Sequence, residues 1–89
     1  MLSLLQPYQN WDLSQWSYGQ LREIYSELTK KIEYNQERLL RYNYKSGQYI
    51  DSKAKLNNEL FPALDKIMGY VRNSISYDIA KDWFPEFIA

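Results

Sequence analysis

Apolar side chains recur at steps of three and four residues in two long stretches of the chain, which is the period of an α-helix and not of a strand. In the first stretch Ser17 and Gln20 form a capping-box pattern, so a helix is predicted to begin near Tyr18 and to run to about Tyr44. Gly47 is the predicted stop of this helix. The apolar stripe consists of Leu21, Tyr25, Leu28, Ile32 and Leu39, with Asn35 and Tyr42 on the same line.

A second helix is predicted over residues 51–75, with Asp51 as its N-cap. Pro62 lies inside this pattern, where it removes a backbone donor and clashes with the preceding turn, so a kink or a break is predicted at about residues 58–61. Gly69 weakens the helix further. The apolar stripe of this helix consists of Leu56, Leu60, Leu64, Ile67, Val71 and Ile75.

The two ends of the chain carry shorter patterns. Residues 1–16 are too irregular for one regular element and are predicted to form an ordered arm with at most a short helical turn. Ser76 is predicted to cap a last short helix that runs through Trp83 and is ended by Pro85. Because no strand-like alternation and no hairpin-turn dipeptide is present, the predicted class is all-α.

These elements predict a small helical bundle. The helices at about residues 18–45 and 51–75 are expected to pair as a long antiparallel hairpin, with the short C-terminal helix and the N-terminal arm against its open side. A length of 89 residues allows one domain, residues 1–89, and an aromatic content of 17% within 45% hydrophobic residues indicates a folded chain. The predicted core is Leu21, Leu28, Ile32, Leu39, Leu56, Leu60, Leu64, Ile67 and Val71.

The residue inventory excludes most catalytic chemistry. The chain has no His and no Cys, so it lacks an imidazole base, a thiol nucleophile and a soft metal ligand. Ser52 and Lys55 match the S-x-x-K spacing of serine acyl-transfer enzymes, but the further motifs of those enzymes are missing. Asp78, Asp82 and Glu86 have a spacing that would let carboxylates share Mg²⁺, although acids near a helix N-terminus are ordinary surface charge. We predict a protein that is not an enzyme and uses no cofactor, no metal ion and no small-molecule substrate.

Basic residues concentrate between the two predicted long helices. The segment 38–55, which we call the tip, carries five basic residues against Asp51, for a net charge of +4 in a chain of net charge zero. Residues 1–29 and 76–89 each have a net charge of −2. A hairpin would place the tip at one end of the molecule and the acidic termini at the other.

Tyrosines are interleaved with the basic residues of the tip. Basic groups beside aromatic rings hold phosphate backbones and stack single-stranded bases, and they also suit an anionic protein. The same residues have a structural interpretation, because cations are favoured in the last turn of a helix and Tyr can cover the end of a thin core. The candidate residues for a protein or nucleic-acid partner are Arg38, Arg41, Tyr42, Tyr44, Lys45, Tyr49, Lys53 and Lys55.

Large aromatic residues gather near both termini. They exceed what a two-helix hairpin needs to close itself, so they either pack on one another and complete a three- or four-helix bundle, which we favour, or form an interface with a protein partner. The candidate interface residues are Trp11, Trp16, Trp83, Phe84 and Phe87.

The predicted function is therefore that of an interaction module, an adaptor, inhibitor or small subunit that docks on a larger protein or on a second copy. The alternative is a small subunit of a nucleoprotein complex that grips nucleic-acid backbone through the tip; the neutral overall charge favours the protein partner. In size and composition the chain resembles the helical small subunits of nucleoprotein effector complexes, including those of CRISPR systems, and small phage-encoded inhibitors of host proteins. No apolar stretch has the length of a membrane span and no signal-peptide core is present, so a soluble, cytoplasmic protein without membrane contact is expected.

Overall fold

A computed structural model describes residues 7–88, and every regular element among them is helical. The α-helices are α1 (Tyr18–Arg41), α2 (Gly47–Lys55), α3 (Phe61–Tyr70) and α4 (Tyr77–Trp83). The other helical turns are π-helical at Leu56–Leu60 and Val71–Ile75, and 3-10 at Tyr8–Asn10, Leu13–Gln15 and Pro85–Phe87. The predicted all-α class is confirmed for residues 7–88.

The start of α1 is the predicted one. The Ser17 amide donates to Gln20 Oε1 (2.8 Å) and the Gln20 amide donates to Ser17 Oγ (3.2 Å), so both halves of the capping box are formed. The helix ends at Arg41, earlier than the predicted Tyr44. Asn43 explains the early end, because its carbonyl and side-chain oxygens accept backbone amides of the next residues and so compete with helix continuation.

The predicted start of the second helix is wrong. The sequence predicts that Gly47 stops α1 and that Asp51 caps the next helix, yet α2 begins at Gly47. Ser46 is the N-cap, and its Oγ accepts the amide of Tyr49 (3.2 Å). Gly occurs both just after a helix C-terminus and near a helix N-terminus, so the sequence Ser46-Gly47 is compatible with either position. The N-cap hydrogen bond of Ser46 shows that Gly47 begins α2.

Pro62 disturbs the helix where the sequence predicts, but the helix is not interrupted. The backbone stays right-handed helical at Leu60 and Phe61, and the turn Leu56–Leu60 before them is π-helical. In such a turn the hydrogen bonds run from residue i to i+5, which accommodates the missing proline amide and relieves the crowding of its ring. The α2 and α3 helices therefore continue one another with a wider turn between them.

The core lies where α1 packs against the turn Leu56–Leu60 and α3, and it is completed by Trp11, Leu13, Ala80, Trp83 and Phe84 from the segments near the termini. All of the predicted core residues are buried except Leu39, which is half-buried. Ile75 of the predicted stripe is exposed, because it ends the π-helical turn Val71–Ile75 and an additional residue in a turn rotates the later residues around the helix axis. The buried hydrophobic side chains of α1, the turn Leu56–Leu60, α3 and the start of the next turn are Leu21, Ile24, Tyr25, Leu28, Ile32, Leu56, Leu60, Ala63, Leu64, Ile67 and Val71.

The N-terminal segment is fastened to α3 by one lysine. Lys66 Nζ donates to the backbone carbonyls of Tyr8 and Trp11, both at 2.8 Å. The side chains of Trp11 and Leu13 are buried in the core. The first part of the predicted arm, residues 1–6, lies outside the described residues.

The C-terminal helix has the predicted cap and the predicted end. Ser76 Oγ accepts the amides of Asp78 (3.2 Å) and Ile79 (3.4 Å), and α4 ends at Trp83 before Pro85. Overall dimensions of 42 × 29 × 16 Å leave room for about two layers of helices along the short axis, since helices pack 8–10 Å apart. Each helix consequently has a face toward solvent.

Candidate docking surface

The connection between α1 and α2, residues 42–46, is held by its own hydrogen bonds. Tyr42 is extended, and its amide still donates to the Arg38 carbonyl (3.0 Å). The Ser46 hydroxyl donates to the carbonyl of Asn43 (2.8 Å). These bonds fix the geometry of the tip and the positions of the side chains that flank it.

Arg38 joins the two helices. Its Nε donates to Oγ of the buried Ser52 (2.8 Å) and its Nη1 donates to the Tyr34 hydroxyl (3.3 Å). The guanidinium carbon also lies 5.1 Å from the ring centroid of Tyr42, within cation–π distance. Arg38 therefore has a structural role at the tip, and part of its donor capacity is occupied within the protein.

Arg41 and Lys55, two further cations of the tip, have carboxylates beside them. Arg41 forms an exposed ion pair with Glu37 one helical turn away. Lys55 lines a shallow polar hollow together with Arg38, Asp51 and Glu59, so cations and carboxylates there balance. Neither Arg41 nor Lys55 stands on a uniformly positive surface.

Lys45 and Lys53 lie beside tyrosine rings. Lys45 Nζ is 5.6 Å from the ring centroid of Tyr44, and Lys53 Nζ is 6.0 Å from that of Tyr49. Among residues 7–88 neither lysine has a carboxylate within ion-pair distance. Tyr44, Tyr49 and Lys53 line an open hollow of about 440 Å³, which we call the tip hollow and which is completed by Ile50, Ala54, Asn57 and Asn58. The structure thus brings four of the predicted residues into one basic and aromatic surface.

Large apolar side chains are exposed at the tip, and sequence reasoning missed two of them. Leu40 is 89% exposed, Tyr44 65% and Ile50 57%. Leu40 follows the half-buried stripe residue Leu39, so it points about 100° away from the core. The sequence could have indicated the exposure of Leu40 through this angular offset. It could not have indicated the exposure of Ile50, which depends on where α2 begins.

Most of the predicted terminal interface is buried. Trp11, Trp83 and Phe84 belong to the core, Trp16 is half-buried against it, and Phe87 is 56% exposed. The Trp83 ring packs edge-on against Tyr18, and the Trp83 Nε1 donates a hydrogen bond to the Tyr18 hydroxyl (3.2 Å). Of the predicted interface residues, all of which are described, Phe87 and part of Trp16 are exposed to solvent.

Tyr25 completes the contact between α1 and the C-terminal helix. Its hydroxyl donates to the Trp83 carbonyl (3.1 Å), and its ring packs against Phe84. Burial raises the pKa of the Tyr25 hydroxyl, and the negative charge of Glu86 acts in the same direction. The neutral hydroxyl is the form that can make this hydrogen bond.

The other sequence candidates have ordinary surroundings. Ser52 is buried, and its Oγ accepts a hydrogen bond from Arg38. A nucleophilic hydroxyl needs a general base beside it, and the cationic Arg38 cannot serve as one. Asp78, Asp82 and Glu86 are exposed, and residues 7–88 contain no group of three acidic side chains placed to hold a metal ion. Among residues 7–88, no helix has the length and hydropathy needed to cross a membrane.

Comparison of the chain with protein-family models, curated proteins and solved structures gives no match.

Proposed function

We propose that the chain is a non-catalytic helical docking module whose tip binds an acidic surface of a protein partner. In this proposal the helices form an antiparallel hairpin closed by the C-terminal helix and the N-terminal arm, and the terminal aromatic residues hold that bundle together. The module works without a cofactor. Its binding residues lie at the tip, away from the termini.

The observation that carries the proposal is the exposure of aliphatic side chains at the tip. Leu40 and Ile50 are each more than half exposed, and they lie in a segment that also exposes Tyr44. Aliphatic groups gain free energy when a protein surface covers them, at about 25 cal/mol for each Å² removed from water. Aromatic anchors beside such groups are typical of the buried centre of protein interfaces.

Charge supplies the preference for an acidic partner. Lys45 and Lys53 have no carboxylate partner among the described residues, and the tip as a whole has a net charge of +4. Complementary charge steers encounter and excludes basic competitors more than it adds affinity. We therefore expect apolar contacts to determine the dissociation rate, and the two lysines to determine the salt dependence of association.

A nucleic-acid partner is the second candidate, favoured by the tip hollow alone. Tyr44 and Tyr49 offer rings for base stacking, and Lys53 offers a cation beside them. Against it, Arg38 and Arg41 already have partners within the protein.

If nucleic acid is the ligand, affinity should fall with salt with a slope that reflects about three to five neutralised phosphates. Lys45→Ala with Lys53→Ala should then abolish binding, whereas Leu40→Ser should leave it unchanged.

A capture experiment separates the two candidates. The tagged chain and the variant L40E/I50E are exposed to lysate of the native cell with and without nuclease, and retained proteins are identified by mass spectrometry. The matched control N73E/S74E adds the same charge at exposed positions in the turn Val71–Ile75. The proposal predicts proteins that survive nuclease, are retained by the control and are lost from L40E/I50E. Equal retention by all three chains would contradict it.

A further inference from the structure

The two ends of the molecule carry opposite net charge, and some charged groups at each end have no ion-pair partner. The tip has a net charge of +4, while the C-terminal segment, residues 76–88, has three carboxylates against Lys81. Within residues 7–88 none of those carboxylates has a cation within ion-pair distance, and the same holds for Lys45 and Lys53 at the tip. Each end is therefore suited to a charged partner of the other sign.

The C-terminal segment also presents an apolar side chain. Phe87 is exposed on the 3-10 turn Pro85–Phe87, and its amide donates to the carbonyl of Phe84 (3.0 Å). Phe84 itself is buried in the core, so the turn that carries Phe87 is anchored. The Phe87 ring beside the Glu86 carboxylate complements the tip hollow, which has apolar side chains and tyrosine rings beside a lysine.

One molecule cannot bring these two surfaces together. Trp83 and Phe84 pack against Tyr25 near the start of α1, whereas the tip begins at Arg38, about 20 Å further along the same helix. The complementary contact can form only between two copies.

We infer that the tip of one copy binds the C-terminal segment of a second copy, with Phe87 in the tip hollow and with Asp82 and Glu86 facing Lys45 and Lys53. The inference rests on the proposed function and names its partner. Each copy carries both surfaces, so the contact either forms twice in an antiparallel dimer with two-fold symmetry or repeats head-to-tail into a ring or an open chain.

Sedimentation velocity of the purified chain tests this contact. The wild type should show a mass that rises with protein concentration at about 0.02 M salt and falls toward the monomer at about 0.5 M, where the Debye length is only about 4 Å. The variants K45E/K53E and D82K/E86K should each associate about 100-fold more weakly, because each places like charges opposite one another. An equimolar mixture of the two variants should recover salt-sensitive association, since each tip then meets a segment of opposite charge. F87A should weaken association by about ten-fold or more without altering the helical circular dichroism spectrum.

A monomer at every concentration in low salt would overturn the inference, and so would variants that associate as the wild type does or a mixture that fails to recover association. D82K/E86K has a specific role here, because a tip-to-tip dimer would be unaffected by it. The proposed function fails separately: it is contradicted by equal capture of cellular proteins on the wild type and on L40E/I50E, whatever the mass of the purified chain.

Discussion

At the scale of single residues, Tyr25 links the start of α1 to the C-terminal helix through a buried hydrogen bond to the Trp83 carbonyl. Tyr25→Phe keeps the ring packing and removes this bond, so it should lower the free energy of unfolding by about 1 kcal/mol near neutral pH, as measured by urea denaturation.

The same substitution has a predictable dependence on pH. Burial raises the pKa of the Tyr25 hydroxyl in the folded state, so above pH of about 10 the unfolded chain loses this proton more readily than the folded one. The contribution of Tyr25 is fully present below that pH and is lost as the pH rises through the folded-state pKa. The difference in stability between wild type and Y25F should therefore shrink above pH of about 10; a difference that grew there would contradict the assigned hydrogen bond.

Lys66 is a second residue whose substitution should have a measurable local effect. It holds the N-terminal segment to α3 through two carbonyls, and Lys66→Met keeps most of its apolar stem while removing both bonds. Hydrogen exchange at the amides of Asn10 and Trp11 should become about ten-fold faster, and exchange in the middle of α1 should not change. Lys30→Met, at an exposed site on α1, is the matched control and should leave the exchange at Asn10 and Trp11 unaltered.

At the scale of elements, the starts of α1 and α4 could be predicted because Ser17 and Ser76 each cap a helix locally. The start of α2 could not, because Ser46-Gly47 fits equally well the end of one helix or the beginning of the next. Pro62 could be recognised as a disturbance, but whether a helix breaks or widens there depends on packing of both halves against α1, which lies outside the local sequence.

Gly69 offers a test of the helical interpretation of residues 47–75. It lies inside α3 without a positive φ, and a Cβ built there meets nothing within 4 Å. Gly69→Ala should therefore raise the free energy of unfolding by about 0.5 to 1 kcal/mol, because alanine loses less backbone entropy on forming a helix. Thermal denaturation followed by circular dichroism in the far ultraviolet measures the effect, and a lower Tm for G69A would contradict a regular helix at this position.

At the scale of the whole molecule, the candidate surface could be predicted in part. Composition and position in the chain point to the basic segment and to Tyr44, Tyr49 and Lys53, whereas three of the five terminal aromatics are core residues. The sequence shows that the aromatic residues are too many for a two-helix hairpin, but it does not show how much apolar surface the longer helices leave for them to cover. Leu40 is the opposite case, a large apolar residue that the helix geometry turns away from the core.

The central claim, that the tip binds a protein, is tested most directly by photo-crosslinking in the native cell. A benzophenone amino acid is placed at position 40, where the side chain is exposed at the tip, and at exposed position 73 as a control. Binding through the tip predicts a discrete protein adduct from position 40 that is absent from position 73 and is resistant to nuclease. Adducts to nucleic acid alone, or the same adducts from both positions, would contradict it.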